Sequence, residues 1–163
     1  MKKTIGMLSE LIKPIELGLK TQTIRLLKFD PETTPSFKNQ YKAFNPKIHS
    51  NDNFPAIQSV LKKSKYIKGD CVHIEHSELV IEILSVDIKD ISSLTHQILS
   101  KEGLKFQTNW TDPYSILYFD YLTEKYSFKN ITQSFLSIMT KCYGQPNVNL
   151  GSYVFVYHFK LIS

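Results

Sequence analysis

The sequence predicts an α+β fold, a mostly antiparallel β-barrel with helices packed outside it, and three observations predict it. Cys71-Val72-His73-Ile74-Glu75 alternates as a strand behind the turn composition Lys68-Gly69-Asp70, and Leu79 to Val86 follows as a second strand, the pair reading as a hairpin in a barrel wall. Ser152 to Ile162 is a long β-rich terminal strand. Phe135, Ile138, Met139 and Tyr143 recur at helical spacing and mark a helix between these strands. With 163 residues, 42% of them hydrophobic, the chain suits one domain spanning residues 1–163.

The remaining elements follow from the same periodicities. Ile5, Leu8, Leu11, Ile12, Ile15 and Leu17 predict an amphipathic helix over 7–18, bent near Pro14 and capped by Gly18. Thr21, Thr23 and Arg25 then alternate against Gln22, Ile24 and Leu26, a short strand with one polar face. From about 29 to 60 the chain carries Pro31, Pro35, Pro46 and Pro55 with interleaved aromatics, which reads as an inserted loop or flap. It either tucks against the body of the fold or forms a lid over a ligand. Ile57 to Lys65 reads as a short helix ending in the basic cluster Lys62, Lys63, Lys65 and Lys68, for which a solvated helix end is a commoner account than nucleic-acid contact. Ser92 or Ser93 is expected to cap a helix that runs through Leu94, Ile98 and Leu99 to Gly103.

Composition narrows the function classes. The formal charge of +5 favours polyanionic partners without identifying one. Of the twenty cationic side chains, nineteen are lysine, and the one arginine is Arg25. A guanidinium offers a planar fork of donors to phosphate or base edges that an amine cannot copy. No run approaches the ~20 apolar residues a membrane span requires, so a cytoplasmic protein with no membrane association is expected. Cys71 and Cys142 form no CxxC pair and read as buried free thiols. His73 and His76, three apart in a strand, point to opposite faces, and no metal site is expected. Phosphate-loop, dinucleotide, GxSxG and HExxH patterns are absent from the sequence.

What remains is Gly18-Leu19-Lys20-Thr21-Gln22-Thr23-Ile24-Arg25, where a helix ends at a glycine and a polar strand begins. Lys20, Thr23 and Arg25 would bring an amine, a hydroxyl and a guanidinium to one concave end of a barrel. The amine can activate the hydroxyl only if burial or positive neighbours lower its pKa well below about 10.4. The bland alternative is a strand whose polar face meets water.

This segment resembles the G-x-K-T-x-T-x-R signature of ASCH-domain proteins, a branch of the PUA-like folds. The likeness continues in order through Tyr66-Ile-Lys-Gly-Asp-Cys-Val-His, Ile81-Glu-Ile-Leu-Ser-Val and Ser100-Lys-Glu-Gly-Leu, and the last helix and strand are similar to those of phage-type members. The resemblance implies a PUA-like β-barrel associated with RNA and modified nucleosides. Small bacterial relatives are amidohydrolases that remove the acetyl group of 4-acetylcytidine with a lysine, a threonine and a glutamate. At matching motif positions these are Lys20, Thr23 and Glu102, with Arg25 as the accompanying cation and no cofactor. Thr21, Tyr66 and Trp110 are carried as substrate- or nucleic-acid-binding candidates. The stretch at about 29–60 is extra relative to the small enzymes, as is the aromatic stretch at 106–130. Phage-type members also carry a tryptophan where this chain has Ile138 and Met139, which leaves the identity of the modified base open. The rival expectation is a non-catalytic module that holds RNA or single-stranded nucleic acid in the same cleft, stacking bases on aromatics such as Tyr66, Trp110 and Tyr114.

Overall fold

The computed structural model describes residues 3–45, 47–108, 111–112, 115–144 and 148–163; Trp110 and Tyr114 lie outside the described residues. Strand β1 (Thr4–Ile5) precedes a 3₁₀ turn (Ser9–Leu11) that runs into helix α1 (Ile12–Glu16) and then strand β2 (Gln22–Leu26). Helices α2 (Phe37–Ala43) and α3 (Pro55–Leu61) follow, then strands β3 (Cys71–Ile74) and β4 (Val80–Asp90), and helix α4 (His96–Leu99) with a 3₁₀ turn (Ser100–Glu102). Strands β5 (Phe106–Thr108), β6 (Ile116–Asp120) and β7 (Lys125–Phe128), helix α5 (Ile131–Tyr143) and strand β8 (Tyr153–Leu161) complete the chain. The fold is α+β. Among the described residues no helix is long and apolar enough to cross a membrane.

The main sheet has the order β1-β3-β4-β8-β2, with β1 parallel to β3 and the other pairs antiparallel. It is an open sheet, because β1 and β2 are edges that share no ladder. A side chain spans the gap: the Arg25 Nη2 group on β2 donates to the Gly6 carbonyl just past β1 at 2.5 Å. A smaller antiparallel sheet, β5-β6-β7, stands apart.

Strand β8 explains the two-layer core. Its side chains alternate between faces, and both faces are covered, so nearly every residue is apolar. Phe155, Tyr157 and Phe159 join Phe37, Ile57 and Val60 from α2 and α3 in one core. Val154 and Val156 join Ile24 from β2 and Phe135, Ile138 and Met139 from α5 in the other. Helix α5 is started by Asn130, whose side-chain oxygen accepts from the Thr132 N–H at 2.7 Å.

Several expectations are corrected. Only residues 9–16 of the predicted 7–18 helix are helical, as a 3₁₀ turn and a single short α-helix. The helix expected from Ser92 to Gly103 is broken: Asp90 caps a 3₁₀ turn at Ile91–Ser93, Leu94 is extended, and Thr95 caps α4. Both cysteines are free but exposed. Val72 and Ile74 take the inward positions of β3, which turns Cys71 out. Cys142 lies in the last turn of α5. His76 sits in the turn after β3 with φ +61°, not in the strand.

The stretch from about 29 to 60 is tucked against the body of the fold. Phe37 is fully buried, stacked on Tyr41 at 5.6 Å and edge-on to Tyr153 of β8 at 5.4 Å. The Tyr41 hydroxyl donates to Asp90 Oδ2 at 2.8 Å and accepts from the Asp90 N–H at 2.7 Å, tying α2 to the end of β4. Phe37→Ala is therefore expected to lower the unfolding free energy by about 3–5 kcal/mol in urea denaturation. A loss under about 1 kcal/mol would mean that α2 lies outside the cooperative unit.

Candidate active site

Lys20 is placed by a helix end. Gly18 takes φ +71°, its N–H donates to the Ile15 carbonyl, and the Leu19 N–H donates to the Pro14 carbonyl at 2.9 Å. This is a Schellman ending, which reverses the chain where a residue with a side chain would be strained. The Lys20 N–H donates to the same Pro14 carbonyl at 3.0 Å, so its side chain is sent inward. Lys20 is 1% exposed.

Glu102 approaches from the far side of the sequence. Gly103, with φ +72°, ends the 3₁₀ turn after α4, and Leu99 anchors that segment in the core. The Thr21 N–H donates to the Lys101 carbonyl at 3.2 Å, which fixes the turn against the start of β2. The Lys20 amine then donates to both the Glu102 carbonyl, at 2.8 Å, and the Glu102 Oε2 carboxylate oxygen. Burial pushes the Lys20 amine below its ordinary value of 10.5; the charge and hydrogen bond of Glu102 pull it upward, and Arg25 adds to the lowering.

Thr23 and Arg25 follow on β2. Thr23 is 1% exposed, and its hydroxyl has no hydrogen-bond partner among the described residues. Glu102 Oε1, the oxygen that does not meet Lys20, also has none. Both residues line one cavity of about 430 Å³, whose apolar lining includes Leu8, Leu11 and Phe135, Ile138 and Met139 of α5. Buried polar atoms are rarely left unpaired, so two of them on residues that line one largely apolar cavity single out this cavity as the candidate ligand site. Arg25 lines the same cavity, with its guanidinium held by the Ile24 carbonyl at 3.0 Å and the Gly6 carbonyl. It also lines a second cavity of about 390 Å³.

Of the residues singled out in the sequence, Lys20, Thr23, Arg25 and Glu102 come together and three others do not join them. The Thr21 side chain is exposed. Tyr66 lies in the second cavity, edge-on to Tyr157 at 5.3 Å, and its hydroxyl is committed to the Thr4 carbonyl. Trp110 lies outside the described residues. The Lys20 amine makes no hydrogen bond to Thr23, and Lys20 does not itself line the cavity, whereas Glu102 does. Sequence reasoning missed two contributors. Residues Gly6 to Leu8 line the cavity in an irregular stretch without periodicity, and the stripe Phe135, Ile138 and Met139 reads as core although it is also cavity wall.

Gly103 is the position where the site is tightest. A Cβ there would lie 2.9 Å from the Pro14 Cβ and 3.1 Å from the Lys20 Cβ, whereas one at Gly18 would meet nothing within 4 Å. Both glycines have nearly the same positive φ, so alanine carries a similar backbone strain of about 1–3 kcal/mol at each. Gly103→Ala is expected to destabilise the protein more than Gly18→Ala in chemical denaturation. Equal losses would contradict the close approach of Gly103 to Lys20.

No family model matches the chain, and no curated protein matches it. A solved structure described as the crystal structure of hypothetical protein PH0355 is similar over 99% of this chain and 100% of that one, at 14% identity and a TM-score of 0.47.

Proposed function

We propose that this chain is an amidohydrolase acting on an acylated pyrimidine nucleoside such as 4-acetylcytidine, and a phage-type member of the ASCH branch of PUA-like folds. On this reading the main sheet is a PUA-like barrel whose closing seam, between β1 and β2, is spanned by Arg25. One observation carries the proposal: the Thr23 hydroxyl and Glu102 Oε1 are buried and unpartnered among the described residues, both residues line one cavity, and the other oxygen of Glu102 holds the buried Lys20 amine. A water or a substrate amide lying between the two unpartnered atoms would satisfy both.

The chemistry runs in two halves. The Thr23 oxygen adds to the acyl carbonyl carbon while its proton passes to the Lys20–Glu102 pair. Arg25 faces the developing oxyanion. The pair returns the proton to the exocyclic nitrogen as the C–N bond breaks, leaving cytidine and an acyl ester on Thr23. Water then adds to that ester, gives one proton to the pair, and displaces the Thr23 oxygen, which takes the proton back as acetic acid leaves. Burial of Lys20 matters at the first step, because only the neutral amine can accept a proton. A second reading, a non-catalytic RNA or single-stranded nucleic-acid module in the same cleft, is favoured by the lysines around the neighbouring cavity.

The purified protein is expected to release acetate from 4-acetylcytidine, and Thr23→Ala to lower the rate by at least about 100-fold. Absence of turnover on any acylated pyrimidine, or full activity in Thr23→Ala, rejects the mechanism in favour of the binding module. The pH profile gives an independent check. The folded-state pKa of Lys20 is lowered, and a base acts after losing its proton, so kcat/KM rises with pH along a limb centred below 10.5. A profile flat in that range would remove Lys20 as the base.

A further inference from the structure

We propose that the second cavity, on the far side of Arg25, binds the phosphate group of a nucleotide, so that the ligand accepted here is a phosphate ester of a nucleoside rather than the free nucleoside. The position of the base rests on the function proposed above, whereas the position of the phosphate stands on separate observations. The two cavities share Gly6, Arg25 and Tyr143 as lining residues, so they adjoin one another at Arg25.

Charge makes the first argument. Lys28, Lys63, Lys65 and Arg25 line the second cavity, and among the described residues no carboxylate does. Among the described residues, Lys28, Lys63 and Lys65 are in no salt bridge, which they share with other surface lysines such as Lys42 and Lys47, but these three meet at one concavity. Uncompensated cations from the end of β2 and the end of α3 thus converge on one concavity, a potential that an anion relieves.

Preorganisation makes the second. The Lys63 amine lies 4.6 Å from the centre of the Phe29 ring, and the Lys65 amine lies 5.2 Å from that of Tyr66 and donates to the Thr4 carbonyl at 3.3 Å. Aromatic faces hold these amines at the cavity mouth and reduce the entropy lost when an anion binds. Arg25 uses two guanidinium nitrogens on backbone carbonyls and has further N–H groups for an oxyanion. The surrounding rings, Phe29, Tyr66, Phe155 and Tyr157, suit an anion attached to a flat or apolar body better than a bare ion.

Titration calorimetry at about 0.15 M salt separates the possibilities. The probes are cytidine, cytidine monophosphate, inorganic phosphate and a three-residue cytidine oligoribonucleotide. The monophosphate is expected to bind at least about tenfold more tightly than cytidine or inorganic phosphate, as charge-assisted contacts require. Lys28→Ala/Lys63→Ala should abolish that preference, whereas Lys42→Ala/Lys47→Ala, which removes the same charge away from the cavity, should keep it. An oligonucleotide that binds at least as tightly as the monophosphate assigns the site to an internal phosphate of a strand, and weaker binding assigns it to a terminal phosphate. Either supports the proposal. Inorganic phosphate binding as tightly as the monophosphate, no preference over cytidine, no binding of the monophosphate, or equal loss in the control variant overturns it. Thr23→Ala should keep the preference, so failure of the hydrolytic reading and failure of the phosphate site give different results.

Discussion

A lysine amine buried against one carboxylate is the constraint on which the site is built. Removing two charges from water costs several kcal/mol per ion, and their attraction often does no more than offset it. Stability alone gives little reason to keep Lys20 and Glu102 inside, since apolar residues of similar size would fill the space at least as well. The surrounding backbone is nevertheless shaped around them. Gly18 reverses the chain so that Lys20 turns inward, Gly103 takes a left-handed conformation within contact of Lys20, and the hydrogen bond from Thr21 to Lys101 locks the two segments together.

The sheet converts that pair into a site. Because β8 is covered on both faces, β2 beside it is covered as well, and Gln22, Thr23 and Ile24 are all buried. A hydroxyl on such a strand is cut off from water unless a cavity reaches it. One does: Thr23 lines a cavity whose lining also includes Phe135, Ile138 and Met139 of α5. Arg25 takes the open edge of the sheet, bridges to Gly6, and forms a wall common to two cavities, one apolar with unpartnered oxygens and one basic with aromatic walls.

Much of this was legible in the sequence because it is local. The turn at Lys68-Gly69-Asp70, the long apolar strand at the end, the stripe of α5 and the glycine after Leu17 each carry their own signal, and each appears in the structure. The polar segment from Lys20 to Arg25 was visible for the same reason. Its burial was not. Alternation assigns Thr21, Thr23 and Arg25 to one face and expects the other to be apolar, whereas a strand covered on both sides buries Gln22 and Thr23 alike. The meeting of Lys20 with Glu102 joins residues 82 positions apart and has no local signature; the motif resemblance suggested it where periodicity could not. Cys71 reads wrongly as buried because apolar neighbours in a strand say nothing about which face a given side chain takes.

If Lys20 and Glu102 are kept for chemistry and not for stability, the two roles separate in one variant. Lys20→Met/Glu102→Leu removes both charges and leaves apolar side chains in their place, so the folded protein should be about as stable as the parent, as expected when a whole buried pair is replaced. The decisive measurement is acetate release from 4-acetylcytidine by that folded double variant. The account predicts a fall of at least about 100-fold with the fold intact, whereas turnover equal to that of the parent would contradict it and leave the pair a structural feature only.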